Sequence, residues 1–268
     1  MSEHSLIDRT PTPRTRASLG DDLRALGVTP GMTLLVHSSL RALGWVCGGP
    51  VAVVQALMDS VRPRGTLVMP TQSGELSDPA DWSRPPVPSE WLATIYEHMP
   101  AYDPRVTPTR GMGRIVETFR KWPGVIRSAH PLVSFAAWGS HAAQIIQGHQ
   151  LDYGLGEGSP LARMYDLDGQ ALLLGVGYDS NTTFHLAEYR APGQTLRGDG
   201  APIMEHGQRV WKTYDDITLD VDVFPEIGAD FEATGAVTLG QVGSAQARLF
   251  PARAAVDFAQ VWLTARRS

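Results

Sequence analysis

The segment LLLGVGYDSNTTFHLAEYR, residues 172–190, holds the side chains best suited to moving a proton. His185 and Glu188 stand three positions apart, a spacing that places both on one face of a helix. Asp179, Ser180 and Asn181 precede them, all residue types that cap helix N-termini. A histidine in the first turns of such a helix meets the positive end of its dipole, which disfavours the imidazolium and suits a general base. A carboxylate at Glu188 or Asp179 acts in the opposite sense: it fixes the tautomer and steadies the cation formed on proton uptake. Residue types leave both carboxylates open as the partner. An H-x-x-E pair also occurs on ordinary helix surfaces. Here an apolar strand and the turn Gly175-Val176-Gly177 lead into it, and open α/β sheets hold their ligands where a strand ends and a helix starts.

The surrounding pattern supplies that kind of sheet. Ser18 reads as an N-cap, with Leu19, Leu23 and Leu26 at helical spacing and Gly27 as the stop. Thr33 to Val36 reads as a buried strand running into His37-Ser38-Ser39. Pro50 opens a helix with Val54, Leu57, Met58 and Val61 as its apolar stripe, and Thr66 to Met69 is a second strand. This strand–helix–strand order is a βαβ unit near the N-terminus, so the expected fold is α/β: a central mixed, partly parallel sheet flanked by helices. Further strands are expected at Val133 to Trp138 and Ala171 to Val176, and at Thr218 to Phe224, where Leu219, Val221 and Val223 alternate with Asp220 and Asp222. Helices are expected at Ser89 to His98, Gly111 to Lys121, Asn181 to Arg190 and Ala252 to Ala265. Eight prolines between residues 70 and 110 mark a long irregular stretch, which reads as the wall of a binding site. Residues 1–17 read as a flexible arm and 18–268 as one domain.

Composition narrows the class. The chain has 268 residues, of which 43% are hydrophobic and 19% charged, the profile of a globular protein with a sizeable core. Its single cysteine, Cys47, excludes an internal disulfide. The N-terminus has no signal-peptide core, and no stretch reaches the roughly 20 apolar residues of a membrane span. A cytoplasmic protein with neither membrane nor nucleic-acid partner is expected, the last because the formal net charge is −5. The charges are unevenly spread. Residues 105–127 carry six basic side chains (Arg105, Arg110, Arg114, Arg120, Lys121, Arg127) against Glu117. Residues 213–232 carry seven acids (Asp215, Asp216, Asp220, Asp222, Glu226, Asp230, Glu232) and no Lys or Arg. Each run alone is an ordinary solvated face; together they suit an enzyme that holds one anionic and one cationic ligand.

Consecutive blocks across nearly the whole chain resemble the aminoglycoside 3-N-acetyltransferases. They are LLVHSSLRALG (34–44), GTLVMPTQSG (65–74), RSAHPLVSFAAWG (127–139), SPLARMYDLDGQALLLGVGYDSNTTFHLAE (159–188) and VGSAQARLF (242–250). The resemblance implies acetyl-CoA as co-substrate, the 3-amino group of an aminoglycoside as acceptor, and direct transfer in a ternary complex. It makes His185 the base, supported by Glu188 or Asp179. It maps the cofactor pocket onto His37, Ser38, Ser39 and Leu40, onto Thr71 and Ser73, and onto Arg110, Gly111, Met112, Gly113, Arg127 and Ser128. A sugar-linked polyamine calls for acidic contacts, for which Glu75, Asp81, Asp152, Asp179, Glu188 and Glu232 are the candidates, Glu232 foremost. Oxyanion donors are expected among backbone N–H groups or the hydroxyls of Ser38, Ser39 and Thr71. A monomer or homodimer is expected. The same scaffold would also serve an acetyltransferase acting on another amine in natural-product biosynthesis, or a non-catalytic CoA- or polyamine-binding protein.

Other motifs give less. Gly154 to Ser159 does not complete G-x-G-x-x-G, and no P-loop is present. The eight histidines include no H-E-x-x-H, so no metal is expected. Cys47 is read as inert, and His130, ahead of Pro131, as structural.

Overall fold

The computed structural model describes residues 3–267. A seven-stranded sheet runs in the order β3-β4-β2-β1-β5-β9-β8. Its members are β1 (Thr33–Ser38), β2 (Thr66–Pro70), β3 (Ile126–Arg127), β4 (Phe135–Gly139), β5 (Gln170–Leu174), β8 (Thr238–Val242) and β9 (Ala245–Pro251). The centre is parallel: β1 pairs with β2 on one side and β5 on the other. The flanks are antiparallel, β4 on β2, β3 on β4, β9 on β5 and β8 on β9. The sheet is therefore mixed and partly parallel, as the sequence pattern implied. A separate two-stranded ribbon is formed by β6 (Leu196–Glu205) and β7 (Gln208–Ile217).

Alternation along β1 sorts the core into two layers. Leu34 and Val36 point into a cluster with α2 (Arg16–Leu26), α3 (Gly49–Val61) and α5 (Gly113–Phe119). Leu35 points into the opposite layer, built by α6 (Ala142–Ile146), α7 (Pro160–Asp166), α8 (Thr183–Arg190), α9 (Phe224–Ala233) and α10 (Ala252–Arg267). Each fully buried leucine of these layers contributes about 1.5–3 kcal/mol. Two further helices, α1 (Glu3–Asp8) and α4 (Leu92–His98), lie outside both layers. No helix among the described residues is long and apolar enough to cross a membrane.

Several local expectations are corrected. Helix α2 starts at Arg16, capped by Thr15, and Ser18 occupies the third helical position of a capping box with it. Residues 3–14 carry α1 and are bonded to the body: Thr10 Oγ1 accepts the Trp45 N–H at 2.9 Å, and the Arg14 carbonyl accepts the Cys47 N–H at 2.8 Å. Residues 218–223 form no strand. The Asp220 carboxylate accepts the Asp222 N–H in a tight turn, and α9 begins at Phe224 with Pro225 in its first turn.

Candidate active site

Helix α8 is held from below by aromatic packing. Phe184 meets Phe224 edge to face at 5.4 Å and stacks near Tyr178 at 6.0 Å. Such pairs contribute about 0.5–1.5 kcal/mol beyond their buried area. The chain reaches α8 from β5 through Gly175, whose φ is +71° and whose missing side chain leaves room for Ala42. His185 and Glu188 thereby stand at the carboxyl end of the parallel strands, next to the end of β1.

The two side chains are joined. His185 Nδ1 lies 2.7 Å from Glu188 Oε2, and Glu188 is fully buried. The carboxylate acceptor fixes the proton on Nδ1 and leaves Nε2 as the free acceptor nitrogen. Glu188 Oε1 accepts the Asp220 N–H at 2.8 Å and lies 3.6 Å from the Arg267 guanidinium. Both its oxygens are thus engaged inside the protein, and it offers none to a polyamine, contrary to the substrate-contact role expected of it. Phe224 covers the imidazole, ring centroids 4.9 Å apart.

Two clefts converge here. The one containing His185 is about 310 Å³ and is lined by His37, Ser38, Gln72, Met112, Asp179 and Thr182 among others. A larger one of about 930 Å³ runs along Ser38, Ser39, Leu40, Arg41, the loop from Gly44 to Pro50, and Gly111 to Arg114. They share Ser38, Gly111 and Met112. Alternation at the end of β1 explains the junction: His37 turns toward α8, where its Nε2 meets Thr182 Oγ1 at 3.3 Å, and Ser38 turns toward α3 and α5. Burial, with His185 nearby, lowers His37 to about 3, so its ring is neutral. The Ser38 hydroxyl is buried and unpartnered.

The remaining sequence candidates fall in three groups. Ser38, Ser39, Leu40, Gly111, Met112 and Gly113 line the large cleft. Thr71, Ser73, Arg127 and Ser128 do not. Arg127 is 9% exposed; its Nε faces Thr71 Oγ1 and Ser134 Oγ at 3.1 Å, and its terminal nitrogens bond Thr107 O, Thr71 O and Ser73 Oγ. Ser128 Oγ accepts the Phe135 N–H and meets His149. These residues tie β3 to β2 and β4 rather than facing a ligand. Arg110 is exposed and borders the cleft only through its neighbour Gly111. His130 is part of the scaffold: its Nδ1 accepts the N–H groups of Leu132 and Val133, and its Nε2 donates to Leu151 O.

The acidic candidates scatter. Asp179 lines the His185 cleft and, with Glu232, an open hollow of about 630 Å³. Glu232 accepts bonds there from Arg248 Nε at 2.8 Å and the Tyr178 hydroxyl at 3.1 Å. Asp81 faces Arg197 at 3.4 Å, Asp152 accepts the Asp215 N–H, and Glu75 is exposed. Arg114, a member of the basic run 105–127, lines this cleft as well; Arg41 and the 44–50 loop are not among the sequence candidates, and the loop's only signal is the glycine-rich approach to Pro50.

A sheet of this order, with a histidine–carboxylate pair at its carboxyl edge and a long cleft meeting it, defines the class. Residues 35–264 match the sequence model of the aminoglycoside 3-N-acetyltransferases, and the chain belongs to that family. It is 54% identical to the SPbeta prophage-derived aminoglycoside N(3')-acetyltransferase-like protein YokD of Bacillus subtilis, over 96% of this chain and 95% of that one. The crystal structure of YokD superposes with a TM-score of 0.96, at 53% identity, covering 97% of this chain and 96% of the other. Aminoglycoside N(3)-acetyltransferase VII of Streptomyces paromomycinus is 37% identical over 98% of this chain and 96% of its own. The structure of AAC-IIIb in binary complex with CoASH superposes with a TM-score of 0.84, at 32% identity, covering 95% of this chain and 98% of that one.

Proposed function

We propose that this enzyme transfers the acetyl group of acetyl-CoA to the 3-amino group of an aminoglycoside, directly between substrates bound together, with His185 as general base. The observation that carries the reading is the 2.7 Å pair of His185 and Glu188 in a cleft that opens, at Ser38, Gly111 and Met112, into a second cleft of about 930 Å³. That AAC-IIIb has been solved with CoASH supports the same assignment.

The chain's own groups suit each step. Arg41 and Arg114 line the large cleft and can hold phosphate oxygens, with glycine N–H groups beside them. His185 Nε2 removes the proton from the acceptor amine as its nitrogen attacks the thioester carbonyl carbon. Glu188 holds the ring and balances the imidazolium that results. The unpartnered Ser38 hydroxyl stands at the junction of the clefts, where charge grows on the carbonyl oxygen, and suits donation to it. As the C–S bond breaks, the proton on His185 returns to the departing thiolate. Asp179, exposed on the rim of the reaction cleft, favours a cationic acceptor.

The test is release of free CoA thiol from acetyl-CoA with a panel of aminoglycosides. Turnover on at least one, lost in His185→Ala, is the expected result. A folded protein inactive on the whole panel overturns the reading, and much faster turnover of an unrelated amine would reassign the acceptor.

A further inference from the structure

The β6–β7 ribbon carries a small polar pocket that the reaction chemistry does not use. In its register Arg197 stands opposite Asp216, and Asp199 opposite Tyr214. Directly paired residues, and residues two apart on one strand, share a face, so all four side chains project together. That face closes on His130, Leu132, Val133, Thr218 and Leu219 around a volume of about 160 Å³. Tyr214 lines this pocket and is 5% exposed, and its buried hydroxyl has no hydrogen-bond partner. Buried hydroxyls are ordinarily hydrogen-bonded, so this one can accept a partner entering the pocket.

The chemistry of the missing group follows from the walls. Asp199 and Asp216 supply two carboxylates against one guanidinium. Arg197 does not neutralise them closely: it sits 3.4 Å from Asp199 and equally far from Asp81 across the mouth. Asp199 gives Oδ1 to the Gly200 N–H and holds only the 3.4 Å contact with Arg197 at Oδ2, and burial holds its carboxyl above the usual range. Asp216 spends Oδ1 on the Tyr189 hydroxyl and the Ile217 N–H and keeps Oδ2 free of close bonds. A primary ammonium, with three donors and no acceptor, matches two carboxylate oxygens and a phenolic oxygen. An anion or an apolar group does not.

The pocket is also in register with the reaction site. Leu219 lines it, Val221 lines the His185 cleft, and the Asp220 N–H between them donates to Glu188. Leu219 and Val221, two residues apart, are separated by at most about 7 Å, roughly one sugar ring. We propose that Asp199, Asp216 and Tyr214 form an ammonium subsite that grips an amino group of the acceptor one ring away from the amine that reacts. This rests on the acceptor being a polyamine, as inferred above.

Calorimetric titration with sisomicin tests it independently of turnover. Asp199→Asn should weaken binding about tenfold and Tyr214→Phe about threefold. In steady-state assays, the KM for sisomicin should rise in parallel, with kcat and the KM for acetyl-CoA within twofold of the parent. Tyr214→Phe removes a single unpartnered oxygen and should fold normally, so it decides the question if Asp199→Asn does not fold. Sisomicin affinity within twofold of the parent in the folded variants overturns the subsite, as does a parent that does not bind sisomicin. A parent that binds sisomicin without releasing CoA thiol overturns the acetyltransferase reading instead, and leaves the binding comparison to judge the subsite.

Discussion

His185 Nδ1 and Glu188 Oε2 lie 2.7 Å apart, and Glu188 has no exposed surface. The pair therefore works as one unit whose tautomer is set before any substrate arrives. Asp179, the other carboxylate near His185 in sequence, stands exposed on the rim of the cleft and makes no bond to the ring. Positioned general bases contribute about 10²–10⁴-fold to rate. His185→Ala should lower kcat by about 10³-fold while its KM for acetyl-CoA stays near the parent value. Retention of more than a tenth of the parent kcat would refute the role given to His185.

Glu188 separates catalysis from folding. Glu188→Gln keeps an oxygen for the Asp220 N–H but removes the charge that balances the imidazolium. Its kcat should drop by about 10²-fold or more, by analogy with amide replacement in hydrolytic triads. Glu188→Ala also leaves the buried His185 Nδ1–H and the part-buried Asp220 N–H without their acceptor, at a further cost of about 1–3 kcal/mol for a buried unsatisfied group. Denaturant midpoints should fall more in Glu188→Ala than in Glu188→Gln, with both far below the parent in turnover. Equal midpoints in the two variants would show that the Asp220 contact adds nothing to stability.

Three desolvated imidazoles, His37 and His130 buried and His149 half-buried, make stability depend on pH. Burial lowers His37 and His130 to about 3 and His149 to about 4, with His185 adding to the effect on His37 and His149 to that on His130. In the unfolded chain the same groups take up protons near pH 6.5. Between those limits the unfolded state binds more protons, so stability drops as the pH falls below about 6.5 and is unaffected by these groups above it. Each imidazole contributes a slope of up to about 1.4 kcal/mol per pH unit within that window. Glu117, which Arg120 and Lys121 hold at about 2, acts in the same direction only below its ordinary value. Urea midpoints at pH 7, 6 and 5 should decline progressively, and a flat profile over that range would contradict the desolvated, neutral state of these rings.

Much of this arrangement can be read in the chain before folding, for reasons that differ by element. The βαβ unit is legible because β1 and β2 are short apolar runs bracketing a helix opened by Pro50. The His185–Glu188 contact is legible because helical spacing is local: three positions along α8 suffice to bring the side chains together. The ribbon was not. Gly198, Gly200 and Pro202 interrupt any alternation in β6, and its one local signal is His206-Gly207, both at positive φ between the strands. Residues 218–223 alternate like a strand, yet the Asp220 N–H is committed to Glu188 and the Asp220 carboxylate to a turn. Both are tertiary or side-chain bonds that no period reveals. Arg127 shows the same limit, since its residue type suits phosphate but its donors are spent on Thr71, Ser73, Ser134 and Thr107.

That last contrast gives a paired prediction. Arg41 and Arg114 line the large cleft, so Arg41→Ala and Arg114→Ala should each raise the KM for acetyl-CoA about five- to tenfold, with kcat and thermal midpoint close to the parent. Arg127→Met should behave in reverse. It takes the guanidinium from the half-buried Thr107 carbonyl and the buried Ser73 hydroxyl, while the Thr71 carbonyl keeps the Ser134 hydroxyl, and a buried polar group left without its partner costs about 1–3 kcal/mol. The thermal midpoint should fall by several degrees, while the KM for acetyl-CoA in the protein that remains folded stays within twofold. A large KM effect with an unchanged midpoint would instead make Arg127 a ligand contact. The two readouts, taken on the same three variants, therefore separate the basic residues that meet the coenzyme from the one that holds β2, β3 and β4 together.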